Sequence, residues 1–147
     1  MKLDTILMPT DFSEDSEEAV SAARDLAKLA GAKLVVLHAY HVNLPLISPM
    51  AGGYALPPDF YEELHTHATA RVDEIVEKLT RDGVDASGMA LCEPASQAIL
   101  DQAQKLPADL IVMGTRGRTG LEHVVLGSVA ERVVRTAPCP VLTVKAQ

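Results

Sequence analysis

The sequence predicts an α/β protein: a single doubly wound domain, Rossmann-like or flavodoxin-like, with a five-stranded parallel sheet in the order 3-2-1-4-5 and helices on both faces. Three observations lead there. Short continuous apolar runs alternate with longer stretches of helical period, as expected of strands buried on both sides. The 147 residues, 48% of them hydrophobic, suffice for one domain that buries roughly two-thirds of its unfolded surface. Right-handed crossovers, with both faces to cover, then favour this strand order.

The first strand is Thr5-Ile6-Leu7-Met8, ended by Pro9-Thr10-Asp11. Asp11 or Ser13 can cap the helix that follows, and its first turn is acidic (Glu14, Asp15, Glu17, Glu18), as the helix dipole favours. Ala19, Ala22, Ala23, Leu26 and Ala30 form its expected buried stripe, and Gly31 its stop. Leu34 to Ala39 is a second strand. Residues 42–58, with Pro45, Pro49, Gly52, Gly53, Pro57 and Pro58, read as a long irregular excursion, a lid or a contact surface. A long helix carries Phe60, Leu64, Ala68, Val72, Ile75, Val76 and Leu79 on one face and stops near Gly83. Ala86 to Leu91 is the weakest strand. A helix containing Ala95, Ala98, Ile99, Leu100 and Ala103 follows Pro94, then the strand Leu110 to Met113, a helix from Ser128 to Thr136 and the strand Val141 to Val144.

Composition narrows the partners. A net charge of −7 and a pI near 5.1 argue against nucleic acid, which calls for a basic face. No apolar stretch approaches the ~20 residues of a membrane span, so no membrane partner is expected. The N-terminus lacks the apolar core of a signal peptide. Cys92 and Cys139 make no disulfide framework, so the expected compartment is the cytoplasm.

The most informative segment is Gly114-Thr115-Arg116-Gly117, followed after nine residues by Gly127-Ser128. A strand that ends in glycines and leads to a helix N-terminus offers unpaired N–H groups and a positive dipole end, a suitable seat for phosphate. In the predicted topology this segment adjoins Pro9-Thr10-Asp11, and Ala39 lies on the neighbouring strand. Asp11 can accept from ribose hydroxyls or simply cap a helix, and the Ala39 backbone can read a base edge. Arg116 and Arg118 are either solvated loop charges or cations for the phosphates. Ser128 is either a phosphate contact or an ordinary first-turn residue.

Several chemistries lack their signatures. There is no G-x4-G-K-[S/T] to steady a transferring phosphate, and no G-x-G-x-x-G at the first strand-helix turn. The third strand ends in Leu91-Cys92-Glu93 instead of the aspartate of a phosphoacceptor. The five histidines form no ligand spacing: His65 and His67, two apart on a helix, point in different directions. No catalytic or metal-ligating set is assigned.

The stretch Asp109 to Lys145, DLIVMGTRGRTGLEHVVLGSVAERVVRTAPCPVLTVK, closely resembles the universal stress protein family, as does the opening ILMPTDFSEDSEEAV. The resemblance spans the chain, as a universal stress protein domain over residues 1–147, and its G-x2-G-x9-G-[S/T] signature is that of the ATP-binding branch. It implies that Gly114, Gly117, Gly127 and Ser128 hold the phosphates and ribose, extended by the amides of Val129 and Ala130. Thr10 and Asp11, at the end of Pro9-Thr10-Asp11, would meet the nucleoside, the Ala39 backbone the adenine, and Met113 the ribose or base. Ala39 and Ala130 are smaller than the valine and threonine of some members. The resemblance also implies a homodimer joined through Val141, Leu142, Thr143 and Val144, strand against strand about a two-fold axis. An exposed apolar edge invites such pairing.

The expected function is a nucleotide-dependent regulatory or stress-response protein with ATP as ligand, any Mg²⁺ carried by its phosphates, and at most slow hydrolysis. Two alternatives remain open: an ATP-consuming hydrolase or phosphotransferase, and a dimeric interaction module that binds no nucleotide.

Overall fold

The computed structural model describes residues 1–42, 56–117 and 126–147. Strands and helices alternate: β1 (Thr5–Pro9), α1 (Glu14–Ala30), β2 (Lys33–Tyr40), α2 (Phe60–Arg81), β3 (Ala86–Cys92), α3 (Ala95–Lys105), β4 (Leu110–Gly114), α4 (Ser128–Thr136) and β5 (Val141–Val144). The strands form one parallel sheet in the order β3-β2-β1-β4-β5, the predicted topology.

The period-2 geometry of the strands divides the core between the two faces. Ile6, Met8, Leu34, Val36 and Val112 face α1 and α2, meeting Ala19, Ala23 and Ala27 of α1 and Ala68, Val72 and Leu79 of α2. Leu7, Val35, Leu37, Ile111 and Met113 face α3 and α4, meeting Ala98, Ile99, Ala103, Ala130 and Val133. Both sets read as continuous apolar runs in the sequence because both faces are covered. Each fully buried Leu or Ile contributes roughly 1.5–3 kcal/mol.

The small residues of α1 let it lie close to the sheet, with the row Ala19, Ala23, Ala27 at i, i+4 spacing fully buried. The expected stripe differs at its end: Ala30 is exposed and Ala27 is buried in its place, because Ala30 is the last helical residue, beside the exposed Leu29. Ser13 is the N-cap, its hydroxyl accepting from the Ser16 N–H, and Gly31 (φ 67°) closes the helix in the left-handed conformation. β3 pairs with β2 along its whole length, from Leu34↔Ala86 to Tyr40↔Cys92. Its Gly88 fits under Val72 and Val76 of α2, which explains why this strand reads weakly: the helix demands a residue without a side chain there. Of the 42–58 excursion, residues 43–55 lie outside the described residues. Among the described residues, no helix is long and apolar enough to cross a membrane.

Candidate functional site

The sheet itself opens the site. β1 stays paired with β2 as far as Pro9↔Leu37, and β4 with β5 as far as Gly114↔Val144. Between β1 and β4 the ladder stops at Leu7↔Ile111. The carboxyl ends of these two strands therefore part, at the point where the winding reverses and ligands of such sheets bind.

A cavity occupies the gap. Pro9, Thr10, Asp11, Leu37 and Ala39 line it from β1 and β2. Met113, Gly114, Thr115, Arg116 and Gly117 line it from β4, and Gly127, Ser128, Val129 and Ala130 from the start of α4. Ala95 and Ile99 of α3 and Ser16 of α1 complete the wall. Every candidate residue named from the sequence lies in this one cavity except Arg118, which lies outside the described residues.

The start of α4 has the geometry of an open anion seat. Its N-cap is Gly127 (φ −68°, ψ 160°), and no side chain caps the helix. The Gly127 carbonyl accepts from Glu131 N–H at 2.9 Å, and its N–H donates to the Thr115 carbonyl at 2.6 Å. The first-turn amides of Ser128, Val129 and Ala130 have no carbonyl four residues back within the helix, and they lie at the cavity wall.

The site glycines serve close approach. Among the described residues, positive-φ glycines are Gly31 and Gly83, neither in the site. A Cβ on Gly114 would stand 2.9 Å from the Asp15 Cβ and 3.0 Å from the Asp15 carbonyl carbon, so β4 passes directly against the first turn of α1. A Cβ on Gly117 would stand 3.0 Å from an Asp11 carboxylate oxygen, and one on Gly127 3.3 Å from the Thr115 carbonyl oxygen.

Asp11 is held firmly. One carboxylate oxygen accepts from the Ser13 N–H (3.0 Å), the Ser13 hydroxyl (2.5 Å) and the Ser16 hydroxyl (2.6 Å). It thus buttresses the N-cap Ser13 while lining the cavity; the cap is Ser13 and not Asp11 itself. The next residue, Phe12, has φ 63°, a costly conformation for a bulky side chain. Its ring lies against His38, with centroids 4.4 Å apart, and under the Arg71 guanidinium at 3.8 Å. His38 Nδ1–H donates to the Thr10 carbonyl at 2.8 Å, fixing the turn from behind.

Asp15 is in the acidic first turn of α1, as expected, but its further role was not legible: it is 4% exposed and turned inward. Its carboxylate accepts from the Thr115 hydroxyl (2.7 Å), the Arg116 N–H (3.0 Å) and the Ala146 N–H (2.9 Å). The Arg116 guanidinium adds two contacts at 3.3 Å. Burial alone pushes this carboxyl up, but the Arg116 guanidinium and the Ala146, Thr115 and Arg116 donors prevail and bring its pKa to about 2. Arg116, expected either in solvent or on a phosphate, has its guanidinium engaged by Asp15. No local pattern could have marked Asp15, since its partners lie about a hundred or more residues away. Leu37, Ala95, Ile99 and Thr115 were legible only as core or loop positions.

Fold and cleft together define a doubly wound α/β protein with a glycine-lined cavity at the reversal of its winding. The universal stress protein family model matches residues 2–145, and the chain belongs to that family. It is 39% identical over 140 residues to the universal stress protein MJ0531 of Methanocaldococcus jannaschii, covering 95% of this chain and 81% of that one. The structure of the hypothetical protein MJ0577 superposes with a TM-score of 0.85 at 26% identity, over 100% of this chain and 99% of that chain. A universal stress protein solved in complex with cAMP superposes with a TM-score of 0.70 at 25% identity, over the whole of both chains.

Proposed function

We propose that this chain is an ATP-binding regulatory protein of the stress response, acting in the cytoplasm as one universal stress protein domain over residues 1–147. The observation that carries this reading is the uncapped start of α4, whose first-turn amides lie at a cavity also lined by the carboxyl ends of β1 and β4. In it Gly114, Gly117, Gly127 and Ser128 admit the phosphates, and the Val129 and Ala130 amides complete the cradle. Asp11 accepts from the ribose, Met113 and Ile99 supply aliphatic cover, and the backbone from Pro9 and Thr10 to Ala39 reads the base edge. The cAMP complex of a relative 25% identical to this chain supports an adenine nucleotide as the ligand class. Mg²⁺ enters with the phosphates.

Turnover, if any, is slow. Among the described residues, Asp11 is the carboxylate that lines the cavity; it already accepts three hydrogen bonds from Ser13 and Ser16, and no P-loop lysine is encoded. The reading also includes a homodimer through the β5 edge.

Calorimetric titration of ATP into nucleotide-free protein tests it. Binding heat and a raised melting temperature are expected, both lost in a Gly117→Val/Gly127→Val variant that remains folded. Folded wild-type protein that gives no heat with ATP overturns the proposal.

A further inference from the structure

We infer that Asp15 is a positioning residue for the cleft, clamping the Thr115–Arg116 turn to the backbone beyond β5 and so coupling occupancy of the cleft to the carboxyl-terminal edge of the sheet. The inference rests on the nucleotide reading above, and extends it from a ligand site to its regulation.

The clamp joins three segments distant in the sequence. Asp15 belongs to the first turn of α1. Thr115 and Arg116 follow β4 and line the cavity. Ala146 lies two residues beyond β5, the edge strand of the sheet. One carboxylate oxygen takes the Thr115 hydroxyl and the Arg116 N–H, and the other takes the Ala146 N–H. Because both oxygens belong to one planar carboxylate, a movement of that group at one segment is felt at the other. Gly114 makes the arrangement possible, since a Cβ there would collide with Asp15 itself.

The limbs are unequal. The Thr115 and Ala146 bonds are 2.7 and 2.9 Å, whereas both guanidinium contacts are 3.3 Å, longer than the ~2.7–2.9 Å of a well-formed charge-assisted bond. The guanidinium is therefore the limb that a phosphate in the cleft competes for. Drawing Arg116 toward a polyphosphate leaves the full carboxylate charge to the Thr115 hydroxyl and the Ala146 N–H. The tail beyond β5 is then held more tightly when the cleft is filled.

Amide hydrogen exchange, read residue by residue on the full chain with and without ATP, tests this alongside calorimetry. In the wild type, ATP is expected to slow exchange at Ala146 several-fold. In Asp15→Ala, ATP affinity falls at least tenfold and exchange at Ala146 no longer responds to ATP. Asp15→Asn, which keeps the shape and one acceptor, recovers part of the affinity and serves where the alanine variant does not fold. A folded Asp15 variant that binds ATP within twofold of wild type, or whose Ala146 still responds fully, overturns the inference. Wild type that gives no ATP heat defeats the nucleotide reading instead. The clamp is then read without ligand in Asp15→Ala, or in Asp15→Asn where the alanine variant does not fold: faster exchange at Ala146 supports it, and unchanged exchange overturns it.

Discussion

The Thr115 hydroxyl donates a 2.7 Å hydrogen bond to the Asp15 carboxylate across 100 residues of sequence. Both groups are buried, so water competes weakly for the bond. Thr115→Val keeps the side-chain shape but leaves a buried carboxylate short of one donor. It should destabilise the fold by about 1–3 kcal/mol, measured as a lower midpoint in urea with an unchanged slope.

The same carboxylate makes stability depend on acid. Its pKa is lowered from 3.8 to about 2 in the folded chain, so its contribution is fully present above about pH 4 and fades as the pH falls towards 2. Asp109 acts in the same sense: its carboxylate accepts from the Thr5 and Asp4 N–H groups, which lower its pKa. Urea unfolding at pH 7, 4 and 3 should show stability falling with pH. Asp15→Asn should flatten the fall between pH 7 and 3 by about 1 kcal/mol, and an equally steep fall in the variant would refute the assignment.

Gly88 of β3 faces Val72 and Val76 of α2 with no room for a Cβ. Gly88→Ala should overpack this contact and cost about 1–3 kcal/mol, seen as a lower melting temperature. ATP affinity should stay within twofold of wild type, because the strain lies on the face of the sheet opposite α3 and α4.

Leu142 of β5 is 39% exposed on the edge strand. If that edge joins two copies, Leu142→Asp places two carboxylates across a two-fold axis and should convert dimer to monomer in light scattering at micromolar concentration. A monomeric wild type would rule out this interface.

The order of elements was legible because the central strands β1, β2 and β4, covered on both faces, carry continuous apolar runs, and each helix keeps its own period. α4 and β5 fall where the sequence places them, since Gly127 and the prolines around Cys139 mark their limits. The cavity residues were legible for a related reason: strand ends at a winding reversal part and open a crevice whatever side chains they carry. Ala30 was misplaced because period alone does not show where a helix runs past the surface that buries it. The inward contacts of Asp15 were not legible because an acid at a helix start already satisfies a local rule, and its three inward partners are remote in the chain.

Periodicity and glycine placement, together with the right-handedness of crossovers, determined the doubly wound sheet, its strand order and the glycine-rich turn beside Pro9-Thr10-Asp11. Only the tertiary structure decided which charges face inward: that Arg116 meets Asp15, that Asp11 braces Ser13 and Ser16, and that Ala146 is tied to α1. The physical reason is range. Hydrophobic pattern is written in neighbours three or four residues apart, whereas the fate of a charge depends on whichever donors the fold carries to it.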